Sequence, residues 1–352
     1  MAETPVYLIP PSEYGKLASL FFPQITTAVY FIRSLQWQHT SPTSSIYATF
    51  PLTNTTLPRT FCVARIDRAG PPGLNLYIHS SLERPPPSHA QPLSPSETDL
   101  AIRQLFATLA TLHRTAGSTT PISKEAAPTD PVFAGHLHTT TAHLLSTGLD
   151  PVIPPSSLAL PSHPYNKYIF SYRPTGTLPT LPSYLEYSTI TPKDYALVMQ
   201  ENALVRNASV LAGCETAAIR FVGGVDASSD GGVLPETTTQ PGEMVAWVFM
   251  TGYGSVRSLH TQPAWRQKGL ARKVVQLLLE RSWPTEFENM DENGEEDQAH
   301  VFHVDIDAKN EASIRTFAVL GQQLRMEECY WVNCDLAKAE GALQALDIPA
   351  VS

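Results

Sequence analysis

A basic turn between a strand and a helix is the part of this sequence whose residue types most clearly indicate chemistry. The strand pattern over 256–262 stops at Pro263, and a helix pattern runs from about Gly269 to Trp283. The first amides of a helix lack intrahelical partners and carry a partial positive charge, so they favour an anion. Four cations surround them: Arg266, Lys268, Arg272 and Lys273. The turn therefore predicts a site in which the backbone amides of residues 267–272 hold a diphosphate.

The spacing inside this turn is more specific than its charge. Arg266, Gly269 and Ala271 follow the order R-x-x-G-x-A. Between a strand and a helix, that order resembles the acyl-coenzyme A signature of the GNAT N-acetyltransferase superfamily, whose usual form is Q/R-x-x-G-x-G/A. Small residues at positions 269 and 271 let the backbone approach a ligand closely. The resemblance implies that acetyl-CoA, or another acyl-CoA, binds here as a cosubstrate.

A second segment follows a predicted buried strand over 301–306. Its residues Asn310, Ser313 and Gly321 are in register with the superfamily pattern N-x-x-[AS]-x-x-x-Y-x-x-x-G. With two segments in the expected order, the chain is identified as a member of the GNAT superfamily. Residues 247–335 most resemble the glycine N-acyltransferase-like branch, especially its fungal members, and the segments 247–250 and 330–332 contribute to that likeness.

The resemblance also implies how the cosubstrate is held. The strand before the turn would pair through its backbone with the pantetheine arm, and its amides would polarise the thioester carbonyl. Asn310 and Ser313 would contact the arm from the opposite strand–helix junction. The predicted cofactor-binding residues are Leu259, His260, Thr261, Arg266, Gln267, Lys268, Gly269, Leu270, Ala271, Arg272, Asn310, Ser313 and Phe317.

The residue that removes a proton from the acceptor amine is harder to assign. An amine has a pKa of about 10, so acyl transfer at neutral pH needs a route for its proton. Many family members use a glutamate near the start of the motif strand, where this chain has Ser255. His260, the only imidazole in that strand, is the predicted base. The alternatives are that His260 only packs on the far face, that Glu243 or His303 serves, or that the amine loses its proton to water before binding.

The acid that protonates the leaving thiolate is equally open. The family tyrosine at this position is replaced by Phe317, which carries no transferable proton. Tyr330 is the predicted substitute, with Tyr253 as an alternative. A thiol has a pKa of about 8.5, so its thiolate leaves without strict need of an acid.

Composition limits the classes of function. The chain has 352 residues, with 24 basic and 33 acidic side chains and a net charge of −9. This balance argues against a nucleic-acid binder, which needs a broad basic surface. No apolar run approaches the length of a membrane span, and the N-terminus does not resemble a secretory signal. The scattered cysteines indicate reduced thiols, so the expected location is the cytoplasm or, alternatively, the nucleus.

Histidine imidazoles are common zinc ligands. His136, His138 and His143 are close in sequence. A zinc site needs four ligands, and neither a fourth ligand nor a thiolate is near them in sequence. No metal site is predicted.

Pattern and resemblance together predict an α/β (α+β) fold with a mixed central sheet flanked by helices. The expected domains are a divergent GNAT-like domain over 1–165, a Pro-rich linker over 166–184, the acyl-CoA-binding GNAT domain over 185–340 and a tail over 341–352. Predicted N-terminal strands are 28–35, 44–50, 60–66 and 73–79, with a helix over 97–113. Predicted C-terminal elements, apart from the helix of the turn, are a helix over 191–204, strands 217–222, 244–251, 255–262 and 300–306, a helix over 310–321 and a strand over 326–334.

The leading functional hypothesis is an N-acyltransferase that moves an acetyl or other acyl group from coenzyme A to a primary amine of a small molecule or amino acid. One alternative is a non-catalytic coenzyme A-binding module, which the replacements at Ser255 and Phe317 favour. Another is a protein lysine acetyltransferase, since the acidic segment 284–298 would attract a basic target. No nucleic-acid or membrane partner is expected. Neither the acceptor nor the acyl length follows from the sequence, because loops that line pockets vary freely.

Overall fold

The computed structural model describes residues 4–36, 44–53, 56–67, 75–83, 91–118, 132–147, 151–159, 165–202, 208–223, 239–281 and 300–346. The chain forms two compact units. The N-terminal unit comprises Met1–Lys167 and Glu327–Ser352, and the C-terminal unit comprises Tyr168–Met326. The sequence predicts domain boundaries near 165, 185 and 340, whereas the last part of the chain returns to the N-terminal unit from Glu327 onward.

Helices and strands are interspersed along the part of the chain that the structure describes. The first eleven are β1 (Tyr7–Ile9), α1 (Tyr14–Phe21), α2 (Ile25–Gln36), β2 (Ser44–Ala48), β3 (Cys62–Asp67), β4 (Asn75–Ser80), α3 (Pro95–Ser118), β5 (Val132–His138), α4 (Thr139–Leu145), α5 (Pro155–Ala159) and β6 (Tyr165–Tyr172). The others are β7 (Leu185–Ser188), α6 (Tyr195–Glu201), α7 (Ala208–Ala212), β8 (Glu215–Phe221), β9 (Met244–Met250), β10 (Val256–Thr261), α8 (Leu270–Arg281), β11 (His300–Asp307), α9 (Glu311–Ala318), β12 (Gln322–Cys334) and α10 (Lys338–Leu346).

The N-terminal unit is built on a mixed sheet in the order β1-β2-β3-β4-β5-β12. Its pairs are antiparallel except β4–β5, which is parallel. The helix predicted over 97–113 is α3, and its apolar positions Leu105, Leu109 and Leu112 are buried in the core of this unit. Helix α10 packs against α3, so residues predicted to form a tail contribute to that core.

Two predictions for the N-terminal half were wrong. Residues 28–35 were predicted as a strand but lie within α2. A short run of apolar and β-branched residues does not separate a buried helix from a buried strand. Residues 166–184 were predicted as a linker, but β6 occupies Tyr165–Tyr172. The prolines that indicated a linker flank this strand, and none lies within it.

The C-terminal unit contains an antiparallel sheet in the order β10-β9-β8-β7. Helix α8 packs against β8 and β9. Helices α6 and α7 contribute Val198 and Leu211 to a buried cluster that also contains Trp247 of β9. The prediction of a mixed α/β fold with helices flanking the sheets is confirmed. Among the described residues, no helix combines the length and apolar character that a membrane span requires.

Helix α6 is fixed to the sheet by a buried ion pair. Arg220 Nη2 of β8 donates to Asp194 Oδ2 at 2.6 Å, and the two side chains are 5% and 9% exposed. Asp194 also accepts from the backbone and hydroxyl of Thr191, which closes a capping box before α6. Burial raises the pKa of Asp194, but hydrogen bonds from Arg220 and Thr191 outweigh it and lower that pKa overall. A buried charge held this way fixes the start of the helix.

Gly321, which the superfamily pattern includes, meets a steric limit in this fold. A Cβ at this position would overlap the carbonyl oxygen of Ser171 in β6. We expect Gly321→Ala to destabilise the C-terminal unit by about 1–3 kcal/mol, because backbone atoms must move to admit the methyl group. Chemical denaturation followed by circular dichroism measures this loss. Gly341→Ala is the control, since a Cβ there meets no neighbouring atom within 4 Å. Equal stability of the two variants would contradict the steric explanation.

Candidate functional site

An irregularity in β10 lies where the sequence predicts the acyl group to bind. Arg257 pairs with Phe249 and His260 with Trp247, so β10 has one residue more than β9 between these pairs. Ser258 in this bulge has a φ of 56°, and the side chain of Asn202 donates a hydrogen bond to its hydroxyl. Bulges bend a strand and redirect its side chains, and they are frequent next to functional sites.

Strand β10 forms one edge of its sheet. It meets β11 at a parallel bridge between Ser255 and His303, where His303 N donates to Gly254 O at 3.4 Å. Gln262 N donates to Val245 O of β9 at 2.9 Å. Backbone groups alternate in direction along an antiparallel strand, so those of Thr261 point away from β9. The open edge therefore presents main-chain groups to an extended ligand.

The basic turn after β10 is anchored by Trp265. This side chain is fully buried, contacts the rings of Tyr184 and Phe221, and donates from Nε1 to Thr239 Oγ1 at 3.1 Å. Residues 266–269 are exposed around it. A buried indole on one side thus holds the chain in place while the other side faces solvent.

The left-handed residues of the turn bring its backbone amides next to the N-terminus of α8. Gln267 and Gly269 have φ values of 63° and 72°, and alternation of left- and right-handed residues forms concave groups of N–H donors. The amides of Gln267 and of residues 269–272 donate no hydrogen bond to any residue that the structure describes, whereas Lys273 N donates to Gly269 O. These donors therefore remain available for an anion at the N-terminus of α8.

The cations of the turn are held differently from one another. Arg266 Nε donates to Thr261 O at 3.1 Å, which keeps its guanidinium beside the end of β10. Lys273 Nζ donates to Thr180 O at 2.7 Å. Lys268 and Arg272 are exposed. The turn thus carries the predicted positive charge, and Arg266 and Lys273 each donate to a backbone carbonyl.

The second sequence segment forms the start of α9. Asn310 is its N-cap, and its side-chain oxygen accepts from Ser313 N at 3.2 Å. Phe317 is buried, with its ring 6.0 Å from that of Phe170. Capping and core packing are the roles these residues have in the structure, and their contact with a cosubstrate stays a prediction.

His260 lies where packing and chemistry are both possible. Its ring stacks on Trp247, with 4.4 Å between centroids and 15° between planes. The side chain is 17% exposed, and Nε2 lies 3.8 Å from Glu201 Oε2. Burial lowers the pKa of His260, the carboxylate of Glu201 opposes this, and Arg266 adds to the lowering. The imidazole is therefore neutral at neutral pH, the form that accepts a proton.

The other candidates for proton transfer are less favourably placed. Ser255 is buried, and its hydroxyl accepts from Arg257 Nε at 3.4 Å. Glu243 Oε2 accepts from Gln240 N at 3.0 Å, and His303 is fully buried. Tyr330 belongs to the N-terminal unit, where it pairs with Leu137 in the sheet. Burial, with a smaller effect of Glu328, raises the pKa of Tyr330.

Sequence reasoning missed Glu201, Asn202 and the anchoring role of Trp265. Glu201 and Asn202 end α6 and contact β10 more than fifty residues later. No local pattern encodes such a contact, because it depends on how the helix lies on the sheet. Trp265 stands inside the recognised turn, and a tryptophan among charged residues was a signal for burial.

Comparison with known proteins agrees with this description. Residues 4–168 match the family model of the acyl-CoA N-acyltransferase verG N-terminal domain. No curated protein matches the chain. A Drosophila protein of known structure aligns with a TM-score of 0.55 and 14% identity, covering 95% of this chain and 99% of its own.

Two bacterial structures described as GCN5-related N-acetyltransferases also align. The Sphaerobacter thermophilus protein has a TM-score of 0.45 and 11% identity, covering 94% of each chain. The Kribbella flavida protein has a TM-score of 0.40 and 10% identity, covering 77% of this chain and 86% of its own. The Drosophila structure thus shares the fold of nearly the whole chain, and residues 4–168 are similar to the verG N-terminal domain.

Proposed function

We propose that this protein is an N-acyltransferase that transfers an acyl group from coenzyme A, acetyl-CoA being the predicted donor, to a primary amine of a small molecule or amino acid. The observation that carries the proposal is the succession of an edge strand, a basic turn and a helix in the C-terminal unit. A bulged edge strand leads into a turn in which the amides of Gln267 and of residues 269–272 donate to no residue that the structure describes. The likeness of residues 4–168 to an acyl-CoA N-acyltransferase domain supports the same reaction class.

The cosubstrate would bind through main-chain donors. The amides of residues 267–272 would hold the diphosphate, with Arg266, Lys268 and Arg272 supplying charge. The backbone of Leu259 and Thr261 would pair with the pantetheine amides, since an open strand edge accepts an extended ligand. Asn310, Ser313 and Phe317 would contact the arm from the start of α9.

The transfer requires that the amine be positioned against the thioester and that its proton be removed. The amine nitrogen attacks the thioester carbonyl carbon, the C–S bond breaks, and its electron pair leaves with the thiolate. His260 would accept a proton from the amine, and its lowered pKa suits that role. Tyr330 stays a prediction as the acid. A thiolate of pKa about 8.5 leaves without one.

We expect His260→Ala to lower turnover about 100-fold or more, with little change in the affinity for acetyl-CoA, because a general base contributes about 10²–10⁴-fold. Single-turnover kinetics and calorimetric titration with acetyl-CoA measure the two quantities. His260→Gln is a companion variant that retains much of the contact with Trp247. A fall in affinity alone would remove His260 from the role of base.

The proposed function is tested by measuring thiol release from acetyl-CoA in the presence of a panel of amines and amino acids. Release that depends on one class of amine supports the proposal. Tight binding of acetyl-CoA without thiol release for any amine would favour a coenzyme A-binding module instead. Ser255 and Phe317, which stand in place of the family's glutamate and tyrosine, favour that alternative. The alternative of a protein lysine acetyltransferase depends on electrostatic attraction by the acidic segment 284–298, which lies outside the described residues.

A further inference from the structure

We propose that Glu201 is a positioning residue that orients the His260 imidazole for removing the proton of the acceptor amine. This inference rests on the proposed function and adds a residue to the same site. It begins from the side-chain contacts between the end of α6 and the bulge of β10. Within these contacts, Glu201 faces His260, and the next residue, Asn202, donates to Ser258.

Side-chain contacts hold helix α6 at both of its ends, and Glu201 is its last residue. At the start of this short helix, Asp194 is bound by Arg220 and by the capping box with Thr191. At its end, the side chain of Asn202 donates to Ser258, whose left-handed φ of 56° forms the bulge. These contacts hold the backbone at both ends of α6, and they place Glu201, whose side chain is 36% exposed, beside β10.

The ring of His260 is fixed on its other face by Trp247. The two rings are stacked 4.4 Å apart, and the indole excludes water from one side of the imidazole. Nε2 of His260 is buried and forms no hydrogen bond with any residue that the structure describes. This nitrogen lies 3.8 Å from Glu201 Oε2, close enough for an ion pair when the ring is protonated. A buried ring nitrogen without a partner is costly, and a shift of under an ångström completes a hydrogen bond to the carboxylate.

This geometry selects one tautomer of the imidazole. With Nε2–H directed to Glu201, Nδ1 carries the lone pair that accepts the proton. Once His260 is protonated, the carboxylate stabilises the imidazolium, whereas the guanidinium of Arg266 on the turn opposes it. The charges that act on His260 are therefore one carboxylate from α6 and one cation from the turn before α8.

The proton balance is simple. An ammonium substrate loses two protons as it becomes an amide: one passes through His260 to solvent, and the other ends on the departing thiolate. The nitrogen–carbon bond forms as the carbon–sulfur bond breaks. No oxidant, reductant or metal is required, and Glu201 itself stays ionised throughout.

The variant Glu201→Gln tests the inference. We expect kcat to fall about 10- to 100-fold with an unchanged KM for acetyl-CoA, since only the orientation and charge of the base are altered. Glu201 raises the pKa of His260, so its removal lowers that pKa further. The acidic limb of the pH profile of kcat/KM should therefore move to lower pH. Glu201→Asp should recover part of the activity.

A readout that does not require turnover accompanies these kinetics. An NMR titration of the His260 imidazole should give a lower pKa in Glu201→Gln than in the parent protein. Glu186→Gln, which removes an exposed carboxylate from β7, is the control and should leave both the titration and kcat unchanged. A His260 pKa and kcat that stay at parent values in Glu201→Gln would overturn the inference. A parent protein that does not bind acetyl-CoA, in contrast, would refute the proposed function itself.

Discussion

Replacing Gly269 with valine will weaken acetyl-CoA binding at least about 100-fold, equivalent to about 2.7 kcal/mol. Gly269 has a φ of 72°, a conformation that a β-branched residue adopts only with strain. A Cβ at this position meets no atom within 4 Å, so the new side chain has room and would occupy space beside the proposed diphosphate site. Both effects act on the proposed diphosphate site, since strain reorients the donors and the side chain blocks the approach.

Isothermal titration calorimetry with acetyl-CoA measures this loss. Gly176→Val is the matched control, because Gly176 is also exposed, has a φ of 66° and leaves a Cβ free of neighbours within 4 Å. It carries the same backbone strain away from the turn, and its affinity should remain within about threefold of the parent value. Undiminished affinity in Gly269→Val would show that the amides of residues 267–272 do not hold the diphosphate.

The second large effect concerns the stability of the N-terminal unit. Lys167→Met should lower the free energy of unfolding by about 3–5 kcal/mol, because it leaves the Glu327 carboxylate buried without its cation. Lys167 Nζ lies 2.5 Å from Glu327 Oε1, and the side chains are only 1% and 6% exposed. The ammonium also lies 4.7 Å from the ring centroid of Tyr30. Methionine retains the length of the side chain, so the loss is mainly electrostatic.

Urea denaturation followed by fluorescence tests this prediction. Arg315→Met is the control, since Arg315 and Glu311 form a pair whose side chains are 71% and 75% exposed, and such pairs contribute about 0.5 kcal/mol or less. The double variant Lys167→Met, Glu327→Leu removes both charges and should recover much of the lost stability. If Lys167→Met and Arg315→Met lower the free energy of unfolding equally, the Glu327 carboxylate is solvated once Lys167 is removed, and the prediction is wrong.

The sequence predicts the elements around the turn closely. Residues 244–251 and 255–262 correspond to β9 and β10, and the helix predicted from Gly269 corresponds to α8 at Leu270–Arg281. Proline, glycine and apolar spacing are local signals, and here they agree with the tertiary structure. The cap at Asn310 is a local signal of the same kind. The need for glycine at position 321 comes instead from the Ser171 carbonyl of β6, which is distant in sequence.

What the sequence does not predict is set by contacts between distant segments. The contact of Glu201 with His260 depends on how α6 lies on its sheet, and the bulge at Ser258 depends on the pairing of β10 with β9. The partition of the chain is a further example. A strand pattern over 326–334 predicts β12 but not the unit that its residues join.

Strand β12 has a consequence for the order in which the protein matures on the ribosome. Its first residues, Gln322–Met326, belong to the C-terminal unit, while the remainder pairs with β5 in the N-terminal unit. The N-terminal sheet therefore acquires β12 only after residues 329–334 are synthesised, and these follow the C-terminal unit in sequence. An unpaired strand edge is a template for pairing with other chains, so the nascent N-terminal sheet carries this liability until β12 is made.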